Sequence, residues 1–155
     1  MLCFLYFQSR VPQKIIVHPD YNPNGLDSDI ALIIFNDVQI NYHVQPVCFS
    51  KSTESKMDEL HLSPGSEGTV VGWGRDETGN AADKLQETKL PVVSPGDCLA
   101  STQLETRSTT FCAGFKNGTN VCNGDSGAGF VFPSKTTDST RWFLQGNNKS
   151  VVSLP

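Results

Sequence analysis

The stretch Cys122-Asn123-Gly124-Asp125-Ser126-Gly127-Ala128-Gly129 sets one serine directly after an acid and among small residues. A serine hydroxyl is a weak nucleophile at neutral pH. It needs a base to take its proton and N–H donors to hold the oxyanion that forms when it attacks a carbonyl. Glycines on both sides let the backbone turn sharply and approach a substrate closely. The same letters also suit an ordinary Gly/Asn/Asp turn carrying an exposed serine, so the rest of the chain must decide between the two.

A second chemical position lies upstream. Asp27-Ser28-Asp29-Ile30-Ala31-Leu32 puts a carboxylate at the mouth of an apolar strand, with Asp29 standing 97 residues before Ser126. The histidines that would supply a base are only His18, His43 and His61. His18 falls in a predicted turn and the other two follow the acid, so each reads as a surface or structural residue. The five cysteines, at positions 3, 48, 98, 112 and 122, form no CxxC pair, which argues for disulfides over a zinc or redox site. The oxygen-rich run Asn117 to Asp125 lacks the alternating acids and closing Glu of an EF-hand, so neither metal nor cofactor is expected.

These groups need a scaffold, and short β-rich runs recur between Gly, Pro, Asn and Ser clusters. The runs are Lys14 to Val17, Ile30 to Phe35, Thr69 to Trp73, Thr88 to Val93, Thr110 to Ala113, Phe130 to Phe132, Trp142 to Leu144 and Val151 to Leu154. The pattern is all-β. One short helix is predicted near 94–101, where Ser94 caps, Pro95 takes the first helical position and Asp97 lies in the first turn. Ser50 to Gly68 and Pro133 to Thr140 read as surface loops, and the nearly continuous apolar run Ile30 to Phe35 as a core strand.

With 155 residues, 37% hydrophobic and 18% charged, the composition is that of one soluble globular domain. A net charge of -4 and a pI near 5.2, with no Lys/Arg cluster, exclude a nucleic-acid footprint. Met1 to Phe7 is apolar but lacks the basic start and cleavage site of a signal peptide, and no run is long enough for a transmembrane helix. Asn117-Gly118-Thr119 and Asn148-Lys149-Ser150 are glycosylation sequons, and with the cysteines they point to a secreted, extracellular protein.

Together the Asp29-Ile30-Ala31-Leu32, Gly72-Trp73-Gly74 and Gly124-Asp125-Ser126-Gly127 motifs resemble those of the chymotrypsin-like serine proteases. Their order fits, and the 97 residues from acid to serine compare with about 93 in the Ser-His-Asp template. Ile16 to Asn22 is similar to that family's loop before the acid, and Gln45-Pro46-Val47-Cys48 to its connection between barrels. The resemblance implies a double β-barrel, here incomplete, lacking most of the first barrel and the C-terminal helix. Residues 1–13 are then a non-family segment and 14–155 a partial protease domain.

Carried over by position, the resemblance makes Asp29 the triad acid, Ser126 the nucleophile, and the N–H groups of Gly124 and Ser126 the oxyanion hole. Asp125 matches the acid that pairs with a new N-terminal amine on activation. Cys98 and Cys112 match a family disulfide, while Cys48 and Cys122 match cysteines whose partners lie in segments outside this chain. Asn120, six residues before Ser126, takes the base of the specificity pocket, where an amide cannot match the charge of Arg or Lys. Ser153 falls in a strand similar to the one that lines the substrate cleft.

The chain also departs from the family. Gly68 and Phe132 stand where another family disulfide would fall, and a Phe can fill such a site without leaving a lone thiol. The triad histidine should stand about 45 residues before the acid, yet only 28 residues precede Asp29. Gly127-Ala128-Gly129-Phe130 and Phe132 resemble the modular proteases that start arthropod cascades. The implied function is a serine endopeptidase acting on a protein substrate or cascade protease, this chain being close to inactive without its base. The alternative is a non-catalytic homologue that binds and regulates a cascade.

Overall fold

The computed structural model describes residues 8–23, 28–49, 61–76, 78–103, 105–106, 109–115, 121 and 123–148. The chain divides into two compact units, Met1–Val47 and Cys48–Pro155. Among the described residues it is mostly β, with one helix, and no sheet closes into a barrel.

The first unit holds β1 (Pro12–Val17) and β2 (Ala31–Phe35), an antiparallel pair with Ile15 opposite Ile33 and Val17 opposite Ala31. The expectation that Ile30 to Phe35 is a core strand is corrected here. Leu32 is 63% exposed and Ile33 56%, because a two-stranded ribbon has no layer of its own to cover either face.

The second unit is built on a six-stranded sheet in the order β3-β8-β7-β4-β5-β6. These are β3 (Cys48–Phe49), β4 (Glu67–Gly72), β5 (Gln86–Val93), β6 (Cys112–Ala113), β7 (Gly129–Lys135) and β8 (Thr140–Asn147). All neighbours are antiparallel except β3 and β8. Side chains alternate across a strand. Leu90 and Val92 of β5, and Phe130 and Phe132 of β7, therefore point to one face and bury a core with Val70 and Val121. Phe111 stacks on Phe130 at 5.5 Å, and Phe130 meets Phe132 at 5.0 Å.

Several loop boundaries move. Pro133, Ser134 and Lys135 belong to β7 and Thr140 opens β8, so the expected loop shrinks to the turn 136–139. Proline is tolerated there because β4 pairs with β7 only at Phe130 and Val131, leaving the rest of that side without a ladder to feed. Glu67 and Gly68 lie in β4, and His61 is buried, not on a surface loop. His61 stacks on Phe132 at 5.5 Å, and its Nδ1 lies 2.9 Å from the side-chain amide of Gln145. Gln145 is the extra residue of a bulge in β8, a device that re-aims a side chain, here toward His61. The strand expected over Thr110 to Ala113 narrows to its last two residues, and that expected over Val151 to Leu154 lies outside the described residues.

The helix α1 (Pro95–Thr102) starts as its sequence dictates. Ser94 Oγ accepts the Asp97 N–H at 3.1 Å, and Gln103 closes the helix at φ 59°, donating its N–H to the Leu99 carbonyl at 2.9 Å. Cys98, fully buried, is bonded to Cys112 at the start of β6, fastening helix to sheet.

Candidate functional site

Ser126 is exposed on the loop 123–128 that enters β7. Gly124 at φ +100° and Gly127 at φ +87° occupy the left-handed region that disfavours side chains, so the loop can turn tightly on either side of Asp125-Ser126. Two strand ends hold it. From the end of β4, the Gly74 N–H donates to Asp125 Oδ1 at 2.8 Å and the Arg75 N–H to the Asn123 carbonyl at 2.9 Å. From the end of β8, the Gly127 N–H donates to the Asn148 carbonyl at 2.7 Å, and the Asn148 N–H to the Ala128 carbonyl at 2.8 Å. Ala128 closes a turn by donating to the Asp125 carbonyl at 3.0 Å.

Asp29 belongs to the first unit, half-buried just ahead of β2. Its neighbour Ser28 is in the left-handed region at φ 57°, and the Ile30 N–H returns to the Ser28 carbonyl at 2.9 Å, a kink that sets the acid off from the strand. Gly124, Asp125 and Ser126 belong to the second unit. His18 sits in the exposed turn after β1, its Nδ1 accepting the Asp20 N–H at 3.1 Å, and His43 lies edge-on to Tyr42. Asn117, Asn120, Cys122 and Ser153 lie outside the described residues. Cys48 is half-buried and carries no disulfide. The Asn148 side-chain nitrogen is buried without a hydrogen-bond partner, so a glycan there requires that amide to turn outward.

Next to the Gly74 contact, the turn 76–80 carries a pinned carboxylate. The Thr78 hydroxyl donates to Asp76 at 2.6 Å, joined by the Thr78 N–H at 2.9 Å and the Asn80 N–H at 3.1 Å. The Thr78 hydroxyl leads in holding Asp76 below the usual carboxylate range. Among the described residues no cluster of His, Cys, Asp and Glu is arranged to hold a metal ion.

The sequence motifs missed the backbone partners of the serine loop, the Gly74 N–H and the Asn148 carbonyl. The two glycines flanking Trp73 carried the signal for the first, since paired glycines at a strand end mark a close backbone approach.

Residues 7–151 match the model of the family described as Trypsin. The chain belongs to the trypsin family. Among its relatives, clotting factor C of Tachypleus tridentatus is 35% identical over 148 residues, covering 91% of this chain and 14% of the relative. The CLIP domain-containing serine protease B4 of Anopheles gambiae is 37% identical, covering 86% of this chain and 37% of the relative. The inactive CLIP domain-containing serine protease A8 of the same organism is 33% identical, covering 81% and 35%. The chain thus spans 14% to 37% of the length of these trypsin-family relatives. Membership makes it a serine protease by family and accounts for the all-β architecture around the Ser126 loop.

Proposed function

We propose that this chain carries the nucleophile and acid of a secreted serine endopeptidase acting in an arthropod-type proteolytic cascade. The observation that carries the reading is Ser126 itself. It is exposed on a loop shaped by two left-handed glycines and anchored through Asp125, in a chain of the trypsin family. Ser126 Oγ attacks the scissile carbonyl carbon as its proton passes to a base, and the electron pair moved onto the carbonyl oxygen is held by the N–H groups of Gly124 and Ser126. The proton then passes to the leaving amine as the C–N bond breaks. Asp29 orients the base, which residues outside this sequence must supply, since none of its three histidines takes that place.

Asn120 at the base of the specificity pocket disfavours strict cleavage after Arg or Lys, and Ser153 lines the cleft. Cys48 and Cys122 bridge to segments outside the chain, and Asn117 and Asn148 accept glycans on a secreted product. By itself the 155-residue chain retains only the small rate that binding and oxyanion donors provide. A second reading, a non-catalytic homologue that binds and regulates a cascade protease, is favoured by the likeness to the inactive Anopheles relative.

The test is fluorophosphonate labelling of the longest secreted protein encoded by the transcript, beside the 155-residue chain and Ser126→Ala versions of both. Labelling confined to the long form and abolished by Ser126→Ala supports the endopeptidase. A folded long form that takes no label, even after activation cleavage, establishes the regulatory reading instead.

A further inference from the structure

Asn123, in the loop that carries Ser126, is the one described asparagine with a glycine after it. The pairs Asn24-Gly25 and Asn117-Gly118 lie outside the described residues. An asparagine side-chain amide can be attacked by the backbone nitrogen of the next residue, which closes a five-membered ring, and a glycine there leaves that nitrogen unhindered. At Asn123 both parties to the attack are open. Asn123 and Gly124 are exposed in the turn, and among the described residues nothing hydrogen-bonds the Asn123 side-chain amide or accepts the Gly124 N–H. The Arg75 N–H, donating to the Asn123 carbonyl at 2.9 Å, draws electron density out of the 123–124 peptide and eases deprotonation of its nitrogen.

Other asparagines lack one or both of these openings. Asn41 Oδ1 accepts the His43 and Val44 N–H groups, and the Asn80 amide donates to Thr78 Oγ1. The Asn148 N–H, the nitrogen next to Asn147, is given to the Ala128 carbonyl at 2.8 Å. Gly124 is different because the protease reading needs its N–H unbonded, ready for the oxyanion, and that same openness exposes its nitrogen to the neighbouring amide.

We infer that Asn123 is a site of spontaneous deamidation and that its conversion disarms the serine loop. The Gly124 nitrogen, giving up its proton, bonds to Asn123 Cγ; the Cγ–Nδ2 bond breaks, ammonia leaves and a succinimide closes. Water then opens the ring. Opening at Cγ gives aspartate, and opening at the backbone carbonyl carbon gives isoaspartate, whose main chain runs through Cβ and is one methylene longer. While the ring is closed the Gly124 nitrogen carries no proton, so one oxyanion donor is gone. After opening, either product sets a carboxylate one residue before that donor, a like charge against the developing oxyanion. The disarming rests on the reading of Ser126 as nucleophile, whereas the conversion needs only the Asn-Gly pair and water.

The test is peptide mapping by mass spectrometry of the full 155-residue chain, aged while folded at mildly acid and mildly alkaline pH, beside the same chain in urea and Asn123→Gln. The readout is the amide-to-acid mass change in peptides covering 121–130, with isoaspartate identified by a methyltransferase specific for it. The folded chain is expected to convert at 123 within about tenfold of the unfolded rate, since the exposed loop opens at little cost. Conversion should quicken as pH rises, because the attacking nitrogen must be deprotonated, and Asn41 and Asn80 should stay intact over the same time. Asn123→Gln, which would need a six-membered ring, should convert at least about tenfold more slowly, about 1.4 kcal/mol on the barrier.

The inference falls if the unfolded chain converts at 123 and the folded chain does not, since the fold would then protect the pair. It falls equally if Asn123→Gln converts as fast as the parent. Fluorophosphonate labelling of the long secreted form is scored separately. Aged protein should label at least about tenfold more slowly than fresh, and Asn123→Gln should keep its rate through the same ageing. Aged, converted protein that labels as fast as fresh refutes the disarming. Fresh protein that takes no label refutes the nucleophile and leaves the deamidation site standing.

Discussion

Phe132 replaces with packing what the protease resemblance would hold with a covalent bond, and truncating it should be among the costliest changes in the second unit. Its ring is 1% exposed, stacks on His61 at 5.5 Å and meets Phe130 at 5.0 Å. Its tip also reaches the strand opposite: a Cβ on Gly68 would stand 2.8 Å from Phe132 Cζ and 2.5 Å from Phe130 Cε2. The two rings therefore use the space that a side chain on β4 would take. A buried aromatic ring covers roughly 150–250 Å², which at about 25 cal/mol per Å² is an upper estimate of 4–6 kcal/mol. Measured Phe→Ala costs of about 3–5 kcal/mol agree, so Phe132→Ala should cost about 4 kcal/mol.

Gly68→Ala, which pushes a methyl into the rings, should cost about 1–3 kcal/mol. Shortening the ring in Gly68→Ala/Phe132→Leu should recover at least about 0.5 kcal/mol relative to the sum of the single changes. The assay is urea unfolding followed by the fluorescence of Trp73 and Trp142. With a slope near 2 kcal/mol per M, Phe132→Ala moves the midpoint by about 2 M. A loss below about 1.5 kcal/mol, or strict additivity between positions 68 and 132, would refute the idea that the rings occupy the Gly68 space.

Three other outcomes are expected. Cys98→Ser with Cys112→Ser, opening a bond across a sequence separation of 14, should lower stability by about 3 kcal/mol, read as a fall in melting temperature that reductant no longer deepens. Ser94→Ala removes the cap on the Asp97 N–H and should cost about 1 kcal/mol by urea unfolding, with Ser94→Asp nearly neutral. Because Asp76 is held below the ordinary carboxylate range when folded, its hold on the turn is complete above that range and is lost as pH falls through its lowered value. The protection of the Thr78 and Asn80 amides, read as exchange relative to the intrinsic rate at each pH, should then fall on acidification, and Asp76→Asn should remove that dependence.

The strands and helix of the second unit were legible because their signals are local. Ser94-Pro95 with Asp97 fixes a helix start, and the alternation of Phe130 and Phe132 fixes a buried face whatever lies beyond. The reading failed where tertiary context decides. Cys48–Phe49 is too short to show a period, and it is a strand only because β8 pairs with it. Pro133 reads as a breaker until one sees that the ladder to β4 ends at Val131. His61, in a polar run, is buried because the bulged Gln145 and the Phe132 ring reach it from strands more than seventy residues away. Of the site, the serine and acid motifs were readable as letters. The hydrogen bond that anchors Asp125 was not, because its donor is a backbone N–H.

The exposure of β2 gives Asp29 a second significance. Ile30-Ala31-Leu32-Ile33-Ile34-Phe35 has no charge, proline or glycine, and its last five residues form β2, which among the described residues pairs along one edge only. Such a hexapeptide has the composition of a steric-zipper segment. The charges bracketing it are Asp29 before and Asp37 after, the placement of gatekeepers that keep sticky strands from stacking copy on copy. Neutralising Asp29 to probe chemistry would therefore also strip one gatekeeper from this segment, and an insoluble Asp29→Asn protein would be reporting on colloidal behaviour before it reported on any reaction.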